Sequence, residues 1–534
     1  MHQIVLFNVE DRVVSSLLPE QARRNGDARW LLVDDRAYTF GEGYDLVSRY
    51  ASGLASLGVG HGDIVAIMMD NTEHYVFTGL ALAHLGAIQV SINTAYRGEF
   101  LRRILEDCAP STVIAHGRYG AHLSRAMADL QGVKSIVVHG STGTFDVSAP
   151  LHSLQALIEA GHTPPPAAGQ HTDTMSISFT SGTTGRSKGV VQTNAYWINA
   201  ANAMAISRDI RADDVFHLCT PMFHSGAWLL NVFPSLIYGL PVGLEPRFSV
   251  GDFWPSVRRH GATQIFTLSA MHIWLLNQPE RADDLDNPAR VWTAVPLAPG
   301  AAEPLKRRFG LQAMFSAYGS TEAMPMTIGN VHRPGKEGSS GWAQPNLEVQ
   351  IVDEDDVVQP PGAVGEIVVR PKTPYSLFSG YHNQPEATLA TLRNLLLHTG
   401  DLGRVDEDGE LFFVDRKADY MRRRGENISS CEVEQAVCLH PAVLAAAVHS
   451  VPASDSEDEV KLCVVLLDGV TLEHAELAAF CAENLPYYVV PRYIEYLDDL
   501  PRTPTERVQK HLLRERGITA QTWDAEAAGF KVAR

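Results

Sequence analysis

Short runs of β-branched and aliphatic residues alternate with longer apolar segments along the first part of the chain. The stretch HGDIVAIMM is followed by YVFTGLALAHLG and then by AIQVSIN, an order that predicts strand, helix and strand. Two further runs, STVIAHG and KSIVVHG, are typical of buried strands. Because parallel strands need a crossover connection, usually a helix, this alternation favours an α/β architecture with a parallel sheet.

The chain is too long for one hydrophobic core, so its 534 residues predict two or more domains. Around residues 347–414 the strands are short, and turns with acidic residues or glycine separate them. This pattern predicts a small antiparallel β unit. A cluster of charged residues begins at Asp415. Beyond it, the order helix, strand, strand, helix and strand predicts an α+β domain of about a hundred residues. We therefore expect a domain boundary near residues 415–418.

Composition and charge restrict the partners of the chain. Apolar residues make up 45% and charged residues 20%, which is typical of a soluble globular enzyme. The formal net charge of -18 argues against a general affinity for nucleic acid, which needs a basic face. A small anionic substrate is compatible with this charge if local Lys and Arg residues bind it.

Neither the cysteines nor the apolar stretches indicate a secreted or membrane protein. The six cysteines form no CxxC pair and lack zinc-ligand spacing, so reduced thiols are expected. The N-terminus has no basic stretch followed by an apolar core, so no signal peptide is expected. The longest apolar stretches, 76–90 and 228–244, contain His, Asn, Gly or Pro and predict no transmembrane segment. A cytoplasmic enzyme is the expectation.

The strongest local motif is SFTSGTTGRSKG, which covers residues 178–189. Its glycines let a backbone approach a polyphosphate closely, its hydroxyls donate hydrogen bonds, and Lys188 supplies a positive charge. A flexible surface loop is the alternative, but an apolar strand before the motif and the helix-like NAYWINAANAMA after it favour phosphate binding. The motif does not meet the Walker A pattern. The expected phosphate ligands are Thr180, Ser181, Gly182, Thr183, Thr184, Gly185 and Lys188.

This motif closely resembles the signature loop of the adenylate-forming superfamily, which includes acyl-CoA synthetases, peptide-synthetase adenylation domains and firefly luciferase. The usual pattern has Pro before the lysine, where this chain has Ser187. The resemblance implies an ATP-dependent acyl-CoA ligase that uses Mg²⁺, with coenzyme A as co-substrate and a small carboxylic acid as substrate. Such an enzyme makes an acyl-AMP and pyrophosphate, and the CoA thiol then displaces AMP. By the same resemblance, Thr183 takes part in catalysis.

The resemblance also implies a fold and a domain division. The expected fold is α/β, with a large N-terminal domain of α/β layers that includes a small β unit. A small mobile α+β domain follows it at the C-terminus. Residues 1–415 would bind the acid and ATP, residues 416–418 would form a hinge, and residues 419–534 would carry a catalytic lysine. The hinge position is Ala418, where members of the family usually have Asp or Lys.

A second motif, YGSTE at residues 318–322, resembles the YGxTE motif of the family. The resemblance places Tyr318 against adenine and Thr321 at the α-phosphate. It makes Glu322 a catalytic residue and a ligand of Mg²⁺, a hard cation that usually takes one or two carboxylates together with phosphate oxygens. Taken alone, the motif would be read as an ordinary turn. The expected binding residues of this motif are Tyr318, Gly319, Ser320 and Thr321.

Further motifs appear in the order of the family. The sequence TGD ends at Asp401 and the pair DR ends at Arg416, and both residues are expected to bind the ribose hydroxyls. The segment PRTPTERVQK ends at Lys510, which is expected to balance charge at the α-phosphate. Gly425 matches a glycine near the pantetheine tunnel. The neighbouring arginines 422–424 are compatible with binding CoA phosphates or with a solvated basic face.

The segment PMFHSG at residues 221–226 resembles the family segment beside the acyl pocket. His224 stands where amino-acid-activating domains usually have Asp, which disfavours an α-amino acid. The pocket is expected to involve His224, Trp228 and Gly319, and His224 is also assigned a catalytic role. The alternative interpretation is that His224 and Trp228 are both packed core residues. A looser similarity to bacterial carnitine/crotonobetaine-CoA ligases suggests a short or medium acid, with a carnitine-like acid as one option.

Three other functions are compatible with parts of the pattern. The chain could make acyl-AMP for a carrier protein, although it includes no carrier domain. A luciferase-like oxygenase would use the same scaffold. A catalytically silent regulatory binding protein is disfavoured by the retained motif residues. The sequence does not determine the oligomeric state, and a homodimer is one possibility.

Overall fold

The computed structural model describes residues 8–141, 145–161, 163–180, 187–268, 271–417, 419, 421–423, 426–452, 458–486, 489–503 and 508–530. Contacts between residues divide the chain into two compact units. Unit 1 contains the described residues up to Thr180 together with Ser187–Val349 and Val369–Leu396. Unit 2 contains Gln350–Val368 and the described part of Leu397–Arg534.

An eight-stranded sheet forms the first layer of unit 1, with the strand order β20-β9-β8-β4-β3-β5-β6-β7. Strands β3 to β7 pair in parallel, and β8 joins β4 in parallel. Strands β8, β9 and β20 form antiparallel pairs at one edge. The strands are β3 Ile64–Met68, β4 Ile88–Ser91, β5 Thr112–His116, β6 Ser135–His139, β7 Leu151–Ser153, β8 Thr174–Thr180, β9 Lys188–Thr193 and β20 Gly380–Tyr381.

A seven-stranded sheet forms the second layer, with the order β14-β13-β12-β10-β11-β1-β2. All of its pairs are parallel except β1 with β2. A small antiparallel sheet of β15, β16 and β17 follows it along the chain. The strands are β1 Arg29–Val33, β2 Arg36–Thr39, β10 Phe216–Leu218, β11 Val242–Leu244, β12 Gln264–Leu268, β13 Val291–Val295, β14 Ala313–Phe315, β15 Ala317–Ser320, β16 Ala323–Ile328 and β17 Trp342–Ala343.

Two helices of unit 1, α3 and α7, are buried along most of their length. A helix that is apolar all round must lie inside the protein, and one hydrophobic cluster joins both helices to residues of both large sheets. The helices are α1 Leu17–Asn25, α2 Phe40–Ser56, α3 Glu73–Leu85, α4 Gly98–Cys108, α5 Gly120–Ala126, α6 Leu154–Ala160, α7 Asn194–Ser207, α8 Ser225–Ala227, α9 Phe233–Tyr238, α10 Phe253–His260, α11 Met271–Leu276, α12 Ala302–Phe309 and α13 Pro385–Thr391.

Unit 2 contains a four-stranded sheet in the order β18-β19-β21-β22, a hairpin of β23 and β24, and a second sheet in the order β25-β26-β27-β28. The chain passes between the units within β18, within β19 and directly before β21. The elements are β18 Leu347–Val352, β19 Gly365–Pro371, β21 Leu397–Val405, β22 Leu411–Arg416, β23 Met421–Arg423, β24 Glu426–Ile428, α14 Ser430–Val437, β25 Val443–Pro452, β26 Asp458–Leu466, α15 His474–Asn484, β27 Tyr493–Tyr496, α16 Lys510–Arg516 and β28 Trp523–Asp524.

The predicted α/β architecture with a smaller C-terminal α+β part is confirmed, and the predicted order α14, β25, β26, α15, β27 is observed. The predicted hinge at residues 416–418 stays a prediction. The division into units follows the sheet that contains β21 and β22, and it therefore groups residues 397–415 with the C-terminal part.

The cysteines are free thiols, as expected from their spacing. Four of the six are buried, where a thiol packs as a small apolar group. Among the helices that the structure describes, none is long and apolar enough to cross a membrane.

Candidate active site

The phosphate-loop motif lies at a hairpin connection. Thr180 ends β8, Lys188 begins β9, and the two residues are antiparallel partners. The Oγ1 of Thr180 lies 3.5 Å from the carbonyl oxygen of Lys188. The helix predicted after the motif is α7, and strand β9 precedes it. Five of the predicted ligands lie outside the described residues: Ser181, Gly182, Thr183, Thr184 and Gly185.

The YGSTE motif forms the turn between β15 and β16. Tyr318 is buried and pairs with Thr327, and the register shifts between Tyr318 and Ser320. A Cβ on Gly319 would lie 2.9 Å from the carbonyl oxygen of Ala323, closer than real Cβ atoms approach backbone oxygens. The glycine is therefore needed because the two strands approach closely at this turn.

Two buried side chains hold this turn against β9 and α7. Gln192 donates a hydrogen bond from Nε2 to the carbonyl oxygen of Thr321 at 3.0 Å. The Tyr196 hydroxyl donates to the same oxygen, also at 3.0 Å. Gln192 in turn accepts hydrogen bonds from Ser176 and Ser178 on β8. The strands that flank the phosphate loop thus also fix the position of Thr321.

The carboxylate of Glu322 faces a residue that the sequence motifs did not include, Tyr381 on β20. The Tyr381 hydroxyl donates to Glu322 Oε1 at 2.8 Å. The ammonium of Lys188 lies 4.6 Å from the centroid of the same ring. The predicted phosphate ligand Lys188 and the predicted metal ligand Glu322 therefore contact one side chain.

The residues at this turn suit a phosphate-bound Mg²⁺. Tyr381 engages one oxygen of the Glu322 carboxylate, and a hard cation held mainly by phosphate oxygens needs only one or two protein carboxylates. Within the described part of the chain, no group of three or more His, Cys, Asp or Glu side chains could hold a metal on its own. A metal at Glu322 would therefore depend on the bound nucleotide.

The two predicted ribose ligands are cross-strand partners in unit 2. Asp401 on β21 pairs in register with Arg416 on β22, and Arg416 Nε lies 2.7 Å from Asp401 Oδ1. The preceding Gly400 has φ +69° and donates its N–H to Glu366. The Thr399 hydroxyl donates to the carbonyl oxygen of Ile367. These contacts fix the TGD segment within β21 and place Asp401 beside the guanidinium.

Lys510 is the first residue of α16 and is engaged within unit 2. Its Nζ lies 2.8 Å from Glu434 Oε1 and donates to Ser430 Oγ at 2.5 Å. The Ser430 hydroxyl donates to Asp415 Oδ2 at 2.7 Å. Burial lowers the pKa of Lys510, but the Glu434 and Asp415 carboxylates outweigh it, so this pKa lies above its ordinary value. Lys510 therefore carries its charge throughout the physiological pH range.

His224 precedes a helical run that consists of α8, a π-helical turn Trp228–Val232 and α9. Burial lowers the pKa of His224 to about 4, so its ring is neutral near pH 7. The Trp228 indole donates to the carbonyl oxygen of Met222 at 2.9 Å and lies in the hydrophobic core. His224 and Trp228 line a cavity of about 10 Å³ together with Gln89, Ser91, Met175, Ser176, Ser178, Trp197, Phe223, Ser225 and Phe233.

That cavity has room for about one water molecule. Gly319 is not among the described residues that line it. The predicted acyl pocket of His224, Trp228 and Gly319 therefore stays a prediction.

The hinge residue Ala418 and the predicted pantetheine residue Gly425 lie outside the described residues. Arg423 is described and buried. It forms an ion pair with Glu459 at 2.7 Å and donates to the carbonyl oxygen of Val490 at 2.9 Å. Arg423 is therefore not part of a solvated face, and CoA binding by residues 422–424 stays a prediction.

Sequence reasoning missed four residues that position the motif residues: Gln192, Tyr196, Tyr381 and Glu434. Gln192 and Tyr196 lie shortly after the phosphate loop in the sequence. The apolar residues around them predict only that they belong to a strand and a helix. Tyr381 and Glu434 are distant from their partners along the chain. Neither composition nor spacing in the sequence indicates these two residues, because their contacts arise from strand order and helix packing.

Models of two families match this chain. The model of the AMP-binding enzyme covers residues 18–382, and the model of the AMP-binding enzyme C-terminal domain covers residues 432–507. The first match includes the phosphate loop and the YGSTE turn, and it ends just after Tyr381.

The chain is similar to curated and solved proteins over nearly its whole length. A crotonobetaine/carnitine–CoA ligase of Salmonella paratyphi A is 32% identical over 486 residues, which are 90% of this chain and 93% of that protein. O-succinylbenzoate coenzyme A synthetase from Bacillus subtilis, solved with ATP and a magnesium ion, is 28% identical with a TM-score of 0.80, covering 93% of this chain and 98% of that one.

An anthranilate CoA ligase in complex with anthranoyl-AMP has the same fold, with a TM-score of 0.85. It is 23% identical and covers 98% of this chain and 99% of that one. The family match over more than half of the chain, the motif geometry and the relative at 32% identity agree with one another. The chain belongs to the AMP-binding enzyme family.

Proposed function

We propose that this protein is an ATP-dependent acid–CoA ligase. It converts a carboxylic acid and ATP into an acyl-AMP and pyrophosphate, and then transfers the acyl group to the thiol of coenzyme A. Membership of the AMP-binding enzyme family and the similarity to a named CoA ligase support this proposal. The solved relative with ATP and magnesium supports the same nucleotide and metal here.

The observation that supports the proposal most directly is that Lys188 and Glu322 both contact Tyr381. A cation for phosphate oxygens and a carboxylate for their metal are the two charges that a nucleotide-activating site needs. They come from motifs that are far apart in the sequence, and the fold brings them onto one side chain.

In the first step, a carboxylate oxygen of the acid attacks the α-phosphorus, and the bond to the β-phosphate breaks. Lys188 would bind phosphate oxygens, and the glycines of its loop would allow the backbone to approach them. Mg²⁺ held near Glu322 would neutralise the charge that develops on these oxygens. Preorganised charges of this kind usually supply much of the catalysis in such reactions.

Lys510 is proposed to balance charge at the α-phosphate in this step. Its ammonium contacts Glu434 and Ser430 in the structure, so it must exchange these partners for phosphate oxygens. Asp401 and Arg416 are proposed to bind the ribose. In the second step, the CoA sulfur attacks the acyl carbon and AMP leaves. Rotation at Ala418 would remove Lys510 before that step.

The acid is proposed to be short or medium in length, with carnitine-like acids as the first candidates. This proposal rests on the relative named as a crotonobetaine/carnitine–CoA ligase. The neutral His224 bears on a different class of acid, because the position lacks the carboxylate that would bind an α-amino group. An α-amino acid is therefore not expected as a substrate.

The test is a panel of carboxylic acids assayed for ATP-dependent release of AMP with and without coenzyme A. The panel includes carnitine, crotonobetaine, butyrate, octanoate and alanine. We expect AMP release that needs CoA for at least one of the first four acids and none with alanine. Pyrophosphate release without thioester formation would instead support the alternative, an acyl-AMP ligase that feeds a carrier protein. The absence of ATP turnover with the first four acids would contradict the proposed short- or medium-chain acid.

A further inference from the structure

Tyr381 contacts both charged residues of the proposed nucleotide site through different parts of its side chain. Its hydroxyl donates to Glu322 Oε1 at 2.8 Å. Its ring lies under the Lys188 ammonium, 4.6 Å from the ring centroid. A cation within about 6 Å of a ring face is attracted by the electrons of the ring. One side chain therefore acts on an anion and a cation at once.

The backbone around Tyr381 joins the same two motifs. The N–H of Phe378 donates to the carbonyl oxygen of Glu322 at 2.8 Å, and the N–H of His382 donates to that of Gly189 at 2.7 Å. Tyr381 itself is the antiparallel partner of Val190 on β9. The segment 378–382 thus braces the YGSTE turn on one side and the strand after the phosphate loop on the other.

The Tyr381 side chain is itself held in place. It is 8% exposed, and the Phe378 ring packs against it with centroids 4.9 Å apart. Its N–H donates to Thr388 Oγ1 at 2.8 Å. These contacts hold the phenol hydroxyl in position to donate to the Glu322 carboxylate.

A metal–nucleotide site requires an oriented carboxylate and an ordered cation, and Tyr381 contacts one residue of each kind. A carboxylate that ligates a metal is usually oriented by a hydrogen bond to one of its oxygens, and loss of such a bond typically weakens metal binding by about 10- to 100-fold. A lysine has a flexible four-carbon stem whose ordering costs conformational entropy. Tyr381 orients the Glu322 carboxylate through its hydroxyl and restrains the Lys188 ammonium through its ring.

We propose that Tyr381 is a positioning residue for magnesium-bound ATP, because it sets the geometry of Glu322 and Lys188 before the nucleotide arrives. This inference rests on the proposed function. The Tyr381 hydroxyl is expected to contribute to nucleotide binding only when the metal is present. The Tyr381 ring is expected to contribute with or without the metal. Tyr381 does not itself touch the reacting atoms, so its effect is transmitted through its two partners.

The experiment measures binding by isothermal titration calorimetry with α,β-methylene-ATP, which cannot undergo the first step, in the presence of MgCl₂ or of EDTA. Tyr381→Phe keeps the ring and removes the hydroxyl, whereas Tyr381→Leu removes both. We expect Tyr381→Phe to weaken binding by about tenfold with MgCl₂ and to leave binding in EDTA unchanged. Tyr381→Leu should weaken binding under both conditions.

Tyr238→Phe is the matched control, because the Tyr238 hydroxyl donates to Asn202 Oδ1 at 3.0 Å within the same unit. It should bind the analogue as the wild type does, and thermal melting should show that all variants are folded. Unchanged binding of Tyr381→Phe with MgCl₂ would overturn the inference and leave the ligase proposal intact. If the wild-type protein fails to bind the analogue, the ligase proposal itself is wrong.

Discussion

A buried ammonium is stable only when carboxylates or hydroxyls compensate for the loss of water. Lys510 satisfies this condition within unit 2 through Glu434 and Ser430. The Glu434 carboxylate also accepts the N–H of Val448 at 2.6 Å. Lys510 therefore has a defined position in this structure, and its variants also remove the partner of Glu434.

We predict that Lys510→Ala lowers acyl-AMP formation by about 100-fold, because one well-placed charge can contribute that much in a dry site. With acyl-AMP and CoA supplied, thioester formation should stay near the wild-type rate. Rapid-quench measurement of the two half-reactions separates these effects. An equal loss in both half-reactions would contradict a role confined to the first step.

The control for this prediction is the double variant Lys510→Ala/Glu434→Gln. Removal of Lys510 alone leaves the Glu434 carboxylate without its ion-pair partner, which destabilises a protein by roughly 3–5 kcal/mol at buried sites. An amide in place of the Glu434 carboxylate removes that charge. The double variant should therefore recover stability in urea unfolding while adenylation stays slow.

At Glu322, we predict that Glu322→Gln loses most adenylation activity and responds weakly to added Mg²⁺. An amide keeps the size of the side chain but removes the charge that a hard cation requires. The measurement is the rate of pyrophosphate release as a function of MgCl₂ concentration. Glu303→Gln is the control, since the Glu303 side chain is 82% exposed on α12. A wild-type Mg²⁺ profile for Glu322→Gln would show that Glu322 is not a metal ligand.

At the scale of elements, the β8–β9 hairpin is the framework of the proposed nucleotide site. Strand β9 was not expected between the phosphate loop and α7. Its residues KGVVQT are β-branched in part, but the run is short and stands directly before a strong helical pattern. Pairing with its hairpin neighbour β8 and with β20 stabilises it as a strand, and β20 is distant from it in the sequence.

Gln192 connects this hairpin to the YGSTE turn, and we predict that Gln192→Ala raises the KM for ATP. The change leaves two serine hydroxyls without their acceptor and removes one donor to Thr321. Each buried polar group left unsatisfied costs about 1–3 kcal/mol, so the free energy of unfolding should also fall. Steady-state kinetics and urea unfolding measure the two effects.

The matched control is Gln21→Ala. Gln21 is also buried and donates to the carbonyl oxygen of Leu236 at 2.8 Å, but it lies on α1 and has no contact with the turn in the described structure. It should lose stability without a change in the KM for ATP. Equal KM values for both variants and the wild type would show that Gln192 does not position Thr321.

At the scale of the whole molecule, several buried histidines make stability depend on pH. Burial lowers the pKa of His217 to about 4, and its ring is fully buried beside Ser256. The unfolded chain titrates near pH 6.5. Between about pH 6.5 and pH 4 the unfolded state therefore binds more protons, so stability falls as the pH decreases. Burial also lowers the pKa values of the buried His449 and of the partly buried His139 and His224 to about 4.

We predict that His217 contributes a loss of about 3 kcal/mol between pH 7 and pH 4, since each pKa unit corresponds to about 1.36 kcal/mol. The His217→Asn variant should be less stable at pH 7 but should show a flatter dependence on pH. Urea unfolding at a series of pH values measures this slope. His332→Asn is the control, because the His332 side chain is 58% exposed. A slope for His217→Asn equal to that of the wild type would contradict the prediction.

The sequence by itself determined the fold class, the nucleotide motifs and the family. Strand and helix periodicity is local, so the alternation around residues 61–93 predicts β3, α3 and β4 correctly. Each motif is also a contiguous run of residues, so the sequence alone identifies candidates within the motifs. These candidates are Lys188, Glu322, Asp401, Arg416 and Lys510. Their assigned roles in binding and catalysis stay predictions.

The tertiary structure decided which of these residues meet. Strand order places Tyr381 beside both Lys188 and Glu322, and the register of β21 with β22 makes Asp401 and Arg416 partners. Sequence spacing does not contain this information, because an edge strand of two residues has no periodicity of its own. The contacts arise only after distant strands pair, which is why the residues that position the site were found in the structure alone.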